Sequence, residues 1–341
     1  MTSLTVHSLV RIAVSLLPVF LFLAALIFLD SYRLVRFRSV LLAILVGSIV
    51  SAACYFINNR IVEFLDWERS SYSRYGAPFI EESLKAGYLF YLLRRKKIGF
   101  MVDAAIYGFA IGSGFAFIEN IYYLNSLPNA SLFVWIVRGL GTAVMHGGTT
   151  AIVGIISKNV SDRKSSDGFY VILPGLVVAV LVHSFYNHFF LSPFLFTVVL
   201  LMTFPLIVIV VFNQSEKATR NWLGVGFDTD TELLEMIMTG NLSGSKIGLY
   251  LQTLKNKFPG EVVADMLCLL RLQVELSMRA KGTLLMRETG FRPAPDPEIK
   301  EKFQELRFLE KSIGKTGKLA ILPFLHRSSR DLWQLQLLDA K

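Results

Sequence analysis

Apolar residues run almost without interruption through 9–29, 39–57, 78–93, 100–124, 131–157, 169–190 and 192–213, and the charges gather between these runs. Most runs reach the roughly 20 residues with which an α-helix, rising about 1.5 Å per residue, crosses about 30 Å of hydrocarbon. Seven membrane helices are predicted. After Asn213 the pattern changes to a leucine-rich chain of mixed charge with helical spacing, as in "TELLEMIMTG", "EVVADMLCLLRLQVELSMRAKGTLL" and "EIKEKFQELRFLEKSIG", punctuated by Gly240, by "FPG" at 258–260 and by "FRPAPDP" at 291–297. The predicted fold is therefore all-α: a polytopic membrane domain, 1–213, followed by a small helical domain, 214–341, whose function the sequence leaves unread.

Composition agrees with this division. Of 341 residues 53% are hydrophobic and only 18% charged, with a mean hydropathy of +0.50, far more apolar than a soluble chain of this length. The first run has only Arg11 near its head and ends at Phe28, Leu29 and Asp30 without a small-residue cleavage site, so it is expected to be a retained span. Basic residues alternate between loops. Arg33, Arg36 and Arg38, then Arg94 to Lys97, then Lys158, Arg163 and Lys164, then Lys217 and Arg220 follow the odd-numbered runs. The positive-inside rule then puts the N-terminus outside and the C-terminal domain in the cytoplasm, and the third run is needed to keep the alternation. The net charge of +9 follows from this topology and from contact with anionic lipid, and no nucleic-acid partner is expected. Cys54 and Cys268 fall in different compartments and are expected to be buried, inert thiols with no disulfide between them.

Ionisable residues within the apolar runs cost about 2.5–3.5 kcal/mol each on insertion scales, so they normally face a protein interior or a wet cavity. Here Glu81, Glu82 and Lys85, Glu119 and Asn120, His146, and His183 with Asn187 come from four different helices, yet the topology brings them to one layer in the outer half of the membrane. Glu81 and Lys85 are four residues apart and predict an ion pair on one face, with Glu82 turned about 100° away. On the fourth helix Gly108, Gly112, Phe115, Glu119 and Tyr122 form one stripe, its glycines permitting close helix approach. A carboxylate in so dry a place can take a proton from water, with histidines and the Asn187 amide stabilising an oxyanion. The set suits peptide hydrolysis by activated water.

Four segments sharpen that reading. "EESLK" at 81–85, "YGFAIGSGFAFIENIYY" at 107–123, "MHGG" at 145–148 and "HSFYN" at 183–187 resemble, in matching order over about 75–190, the PrsW family of intramembrane peptidases, related to the CAAX prenyl endopeptidase and Abi group. The resemblance implies that Glu81 or Glu82 activates water, that His183 and Asn187 complete the site and that His146 assists. It also implies a first, extracytoplasmic cut in a membrane-anchored protein such as an anti-sigma factor, and a bacterial inner membrane location. One departure stands out: Phe115 is followed four residues later by Glu119, where the CAAX branch has histidine. Glu81, Glu82, Glu119, His146, His183 and Asn187 are the expected catalytic residues, supported by Lys85, Phe115 and Asn120. Partners are the substrate, the bilayer and a possible cytoplasmic ligand of the C-terminal domain.

No metal ligands and no cofactor are expected, since no tight ligand spacing is present, although Glu82, Glu119, His146 and His183 could supply a metallopeptidase's mixed ligands. Two readings from other classes compete: a proton-coupled transporter, and a non-catalytic membrane scaffold whose working part is the C-terminal domain. A plainer account of the third helix has Glu81 and Glu82 favoured by a helix N-terminus and Lys85 snorkelling outward. Arg138 is expected to pair with an acid, and Asp103 to sit at the inner interface beside Arg94–Lys97. His7, His188 and His326 are expected to stay out of the site.

Overall fold

The computed structural model describes residues 6–164, 168–291, 296–324 and 329–339. The described residues are mainly helical, with no strand among them. They divide into two compact units, Met1–Ser215 and Glu216–Lys341. Most of the "FRPAPDP" segment and the side chains of His7 and His326 lie outside the described residues.

The first unit contains α1 (Val6–Leu29), α2 (Phe37–Leu65), α3 (Arg69–Arg94), α4 (Met101–Ser126), α5 (Leu132–Ile136), α6 (Ala143–Lys164), α7 (Leu173–Asn187) and the first part of α8 (Pro193–Met238). Among the described residues five helices are long and apolar enough to cross a membrane: α1, α2, α4, the continuous α5–α6 rod and α8. The protein is thus a multi-pass membrane helix bundle. Helix α7, with 15 residues, is apolar but short, and α3 carries too many charged groups to qualify by composition.

Two helices form the centre. The apolar stretch of α4 is 83% buried and that of α5–α6 78%, whereas those of α1, α2 and α8 are 22–28% buried and turn residues such as Leu21, Phe56 and Leu206 outward. Lipid is as apolar as leucine, so close backbone packing and interhelical polar bonds must hold the centre together. Gly112 supplies such packing. A Cβ there would collide with the carbonyl oxygen of His146, so glycine sets the spacing at which α4 and α6 bring their polar groups together.

Several expectations change here. Helix α3 starts at Arg69, well before the apolar run. Glu81 and Glu82 therefore lie three turns inside it, beyond the reach of a helix-terminal dipole. The span expected at 169–190 is a 3-10 turn, Phe169–Val171, followed by α7, and the one expected at 192–213 continues unbroken to Met238. Asp103 lies in the first turn of α4 and is enclosed by protein. It is buried and accepts bonds from the backbone N–H groups of Gly99 (2.7 Å) and Phe100 (3.2 Å), capping the first turn of α4. Cys54 is buried and free as expected, but Cys268 is exposed.

The second unit comprises the rest of α8 with α9 (Lys246–Leu254), α10 (Gly260–Glu288), α11 (Glu298–Ser312), α12 (Gly314–Ala320) and α13 (Ser329–Asp339). Its core is built on Leu233, Leu251, Met266, Leu269, Leu276 and Phe303. Ser245 caps α9 by accepting the Gly248 N–H at 3.1 Å.

Candidate active site

Proline 78 explains how α3 and α7 are joined. A proline inside a helix has no N–H for the carbonyl four residues back, here that of Arg74. Ser184 of α7 donates its hydroxyl to that carbonyl at 2.6 Å, and Asn187 donates its amide to the neighbouring Ser73 carbonyl at 2.8 Å. These two bonds fix α7 against α3 and place His183, one residue before Ser184, beside the glutamates.

Glu82 is the hub of the cluster. Fully buried, its Oε1 accepts from Lys85 Nζ at 2.6 Å and lies 2.8 Å from His183 Nδ1, and Thr149 Oγ1 lies 3.4 Å from both carboxylate oxygens. Lys85 is equally buried and also touches His146 Nδ1 at 3.2 Å, with its ammonium 4.7 Å from the Phe115 ring centre. The expected Glu81–Lys85 pair is thus replaced by Glu82–Lys85. Residues i+3 and i+4 flank the same line on a helix, and the lysine turns to the carboxylate sealed inside, away from lipid. It does not snorkel.

Glu81 turns the other way, into a cavity of about 630 Å³ lined also by Glu119, Arg138, His146, His183 and Tyr186. Its side chain keeps 15% exposure, and that of Glu119 25%. Asn58 of α2 donates to Glu81 Oε1 at 3.1 Å and accepts from the Tyr72 hydroxyl at 2.8 Å, and Glu81 Oε2 is 3.9 Å from His183 Nε2. On the far wall His146 Nε2 is 2.9 Å from Glu119 Oε2. The ring centres of His146 and His183 stand 4.8 Å apart, edge to face.

Arg138 has the acidic partner expected of it. Its Nη2 lies 3.1 Å from Glu119 Oε1, its Nε donates to Asn120 Oδ1 at 3.0 Å, and its guanidinium sits over the Tyr123 ring. Asn120 in turn donates to the Ser15 carbonyl of α1 at 2.9 Å, so it positions Arg138 and ties α4 to α1. Between α5 and α6 the rod passes through a π turn, Val137–Thr142, which holds Arg138 and the Thr142 hydroxyl that meets Tyr186 Oη at 2.9 Å. Such turns recur at functional sites because the extra residue re-aims the side chains around it.

The structure therefore gathers Glu81, Glu82, Lys85, Phe115, Glu119, His146 and His183 into one cluster, with Asn120 behind it. Asn187 reaches the cavity rim, its amide already given to Ser73. His188 bonds the Ser184 carbonyl at 2.7 Å and lies outside the cavity lining. Sequence reasoning did not single out Asn58, Tyr72, Thr149, Thr142 or Tyr186. The signal for Asn58 is an asparagine pair closing an apolar run, and for Thr149 a hydroxyl one turn beyond His146.

The fold and this cluster define a multi-pass membrane helix bundle that encloses carboxylates and imidazoles around a cavity. Its residues 36–212, more than half of the chain, match the family described as PrsW family intramembrane metalloprotease. The protein belongs to that family and is accordingly a membrane-embedded protease acting on a protein substrate. No curated protein and no solved structure matches it.

The family description raises the question of a metal. Glu81, His146 and His183 each offer a ligand atom, all within 4.8 Å of one another. Two imidazoles with one carboxylate are a donor set that catalytic zinc takes while keeping a position open. The Glu82 contact to His183 Nδ1 is also the carboxylate support that orients a ligating histidine, leaving Nε2 to face the cavity. The residues fit a divalent cation.

Proposed function

We propose that the cavity is the active site of an intramembrane endopeptidase in which Glu81 activates the attacking water. The observation that carries this reading is the division of labour between adjacent glutamates: Glu82 is saturated by buried donors, while Glu81 faces the cavity. Glu81, oriented by Asn58, accepts the proton of a water as its oxygen adds to the scissile carbonyl carbon, then returns it to the leaving amine as the C–N bond breaks. His183, held through Nδ1 by Glu82, presents Nε2 to the reacting atoms. Arg138, fixed by Glu119, Asn120 and Tyr123, supplies positive charge on the cavity wall where an oxyanion develops. Lys85 and Asn187 act as positioning residues. A divalent ion would be held by His146, His183 and one oxygen of Glu81, leaving the other Glu81 oxygen to take the proton, and would supply Lewis-acid polarisation.

The same reading takes α3 and α7 as crossings beside the five apolar helices, giving seven spans with the N-terminus outside. It makes the substrate a membrane-anchored protein, such as an anti-sigma factor, cut near its extracytoplasmic boundary in a bacterial inner membrane. The second unit is then a cytoplasmic domain. Co-expression with a library of tagged single-span proteins tests the reading. A protein that shortens with wild type, and not with equally abundant His183→Ala, is the expected result, with the cut near the outer boundary. If no member shortens, while liposomes carrying the protein show a proton flux abolished by Glu119→Gln, the transporter reading replaces this one.

A further inference from the structure

A second cavity, of about 390 Å³, adjoins the first and shares five wall residues with it: Asn58, Asn59, Glu81, Glu119 and Tyr123. The carboxylates of Glu81 and Glu119 thus border both. Their walls differ in chemistry. The first is lined by Arg69, Arg138, Tyr72, Ser73 and Asn187. The second adds Cys54, Tyr55, Phe56, Phe115, Ile118 and Tyr122, an aromatic and aliphatic lining.

The second cavity arises from how α2 and α4 diverge. The helices touch where Gly47 seats against the Ile111 carbonyl and Ser48 Oγ donates to the Gly114 carbonyl at 3.1 Å. One turn further along both helices, small residues on α2 (Ser51, Ala52, Cys54) face larger ones on α4, and the gap opens. Tyr55 and Tyr122, with ring centres 5.2 Å apart, close it toward the surface of the bundle. Both tyrosines are nearly half exposed, and Phe56 is 68% exposed, so in a bilayer this side of the cavity meets lipid.

Resting on the peptidase reading above, we infer that this second cavity is a substrate subsite for a large apolar side chain, aromatic or leucine-like, on the membrane-embedded side of the scissile bond, entering from lipid between α2 and α4. The occupant follows from the walls. A chain drawn across Glu81 has its apolar side in the aromatic cavity and its polar flank in the first cavity, so the bond between them lies at the carboxylate. A single-span segment where it leaves the bilayer has this arrangement. Tyr55 and Tyr122 must part to admit it.

Cys54 in the cavity wall provides a probe that does not depend on turnover. The full-length protein carrying Cys268→Ser and Glu81→Gln, in bilayers, is oxidised with synthetic single-span peptides of leucine and alanine with lysine flanks, each with one cysteine at a successive position. Disulfide formation with Cys54 is expected to peak at one or two neighbouring positions near one boundary, about tenfold above the rest of the span. Ala52→Trp, which fills the mouth, should remove the peak, and Tyr55→Ala should raise it. A cysteine at lipid-facing Ile49, with Cys54→Ser, should give a flat profile. A flat profile from Cys54, or a peak indifferent to Ala52→Trp, overturns the inference. Cleavage is scored separately with Glu81 intact. Cleavage without a peak refutes the subsite alone, whereas a peak without cleavage keeps the subsite and refutes the peptidase.

Discussion

Among the described residues, two lysine–carboxylate pairs match in length and burial, one in each unit. Lys85 and Glu82 are 2.6 Å apart, Lys281 and Asp230 2.7 Å, and no side chain of the four is more than 1% exposed. The partners of the first, His146 and His183, line a cavity of about 630 Å³, whereas those of the second, Ser277 and Gln334, line a pocket of about 10 Å³. In the second unit the pair is packed about by Ser277, which bonds both Asp230 and Gln334, and by the Trp222 ring, 5.4 Å from the ammonium. It joins α8, α10 and α13 as a buried clasp. In the first unit the Glu82–Lys85 pair continues outward through His183 and His146 to Glu81 and Glu119, which meet the cavity. The burial of the ion pair is common to both units. The partly exposed acids beside it are found with the first.

The comparison breaks first on activity. Removing one partner of a buried pair leaves an uncompensated charge and costs about 3–5 kcal/mol, while replacing both is often tolerated. Lys281→Met should therefore lower unfolding stability by about that much, and Asp230→Asn with Lys281→Met should recover most of it with cleavage intact. Glu82→Gln with Lys85→Met should also recover folding. Its cleavage, however, should stay down by on the order of a hundredfold, because His183 and His146 lose their orientation. Quantitative cleavage at matched abundance checks both. Equal rescue of activity by the two double variants would erase the distinction.

A smaller effect is expected from spacing alone. Gly112→Val must displace α6 at the His146 carbonyl, and a shift of about 1 Å at a catalytic group can cost about 100-fold or less. Cleavage should fall by roughly ten- to a hundredfold, with a thermal shift smaller than that of Lys281→Met.

The smallest expected effect lies on the second unit's surface. Burial would raise the Glu275 carboxyl, but Lys302 and Arg279 outweigh it and hold its pKa below the ordinary 4.5. A depressed carboxylate stabilises the fold fully above the unfolded value and less as pH falls through the folded one. Stability should therefore be flat above pH 4.5 with respect to this group and decline below it. Glu275→Gln should flatten that decline slightly in denaturant titrations across the range. The contribution is small, since the groups are partly solvated.

Much of the site was legible because charge in an apolar run is costly wherever it falls. That argument selects Glu81, Glu82, Lys85, Glu119, His146 and His183 from four runs without knowing how the helices pack. It fails where packing decides. Whether Lys85 turns to i−3 or i−4 depends on which side is sealed. The Asn187 amide is taken by a carbonyl near the Pro78 break, and the Asp103 carboxylate by the backbone N–H groups at the start of α4. Asn58 escapes because an asparagine at the end of a span costs little. The π turn at Val137–Thr142 has no periodicity of its own, only the pair Gly139 and Gly141. Helix α3 was expected nine residues too short at its N-terminal end because its first turns are polar, though they wall the cavity.

The most direct measurement compares Glu81→Gln with wild type on a tagged single-span protein that wild type cuts, in bilayers at equal folded concentration. The account predicts cleavage slowed by about 10²- to 10⁴-fold, the range for loss of a general base, with the unfolding midpoint nearly unchanged because Glu81 lies at the cavity wall. Cleavage within a few-fold of wild type would contradict the assignment of water activation to Glu81.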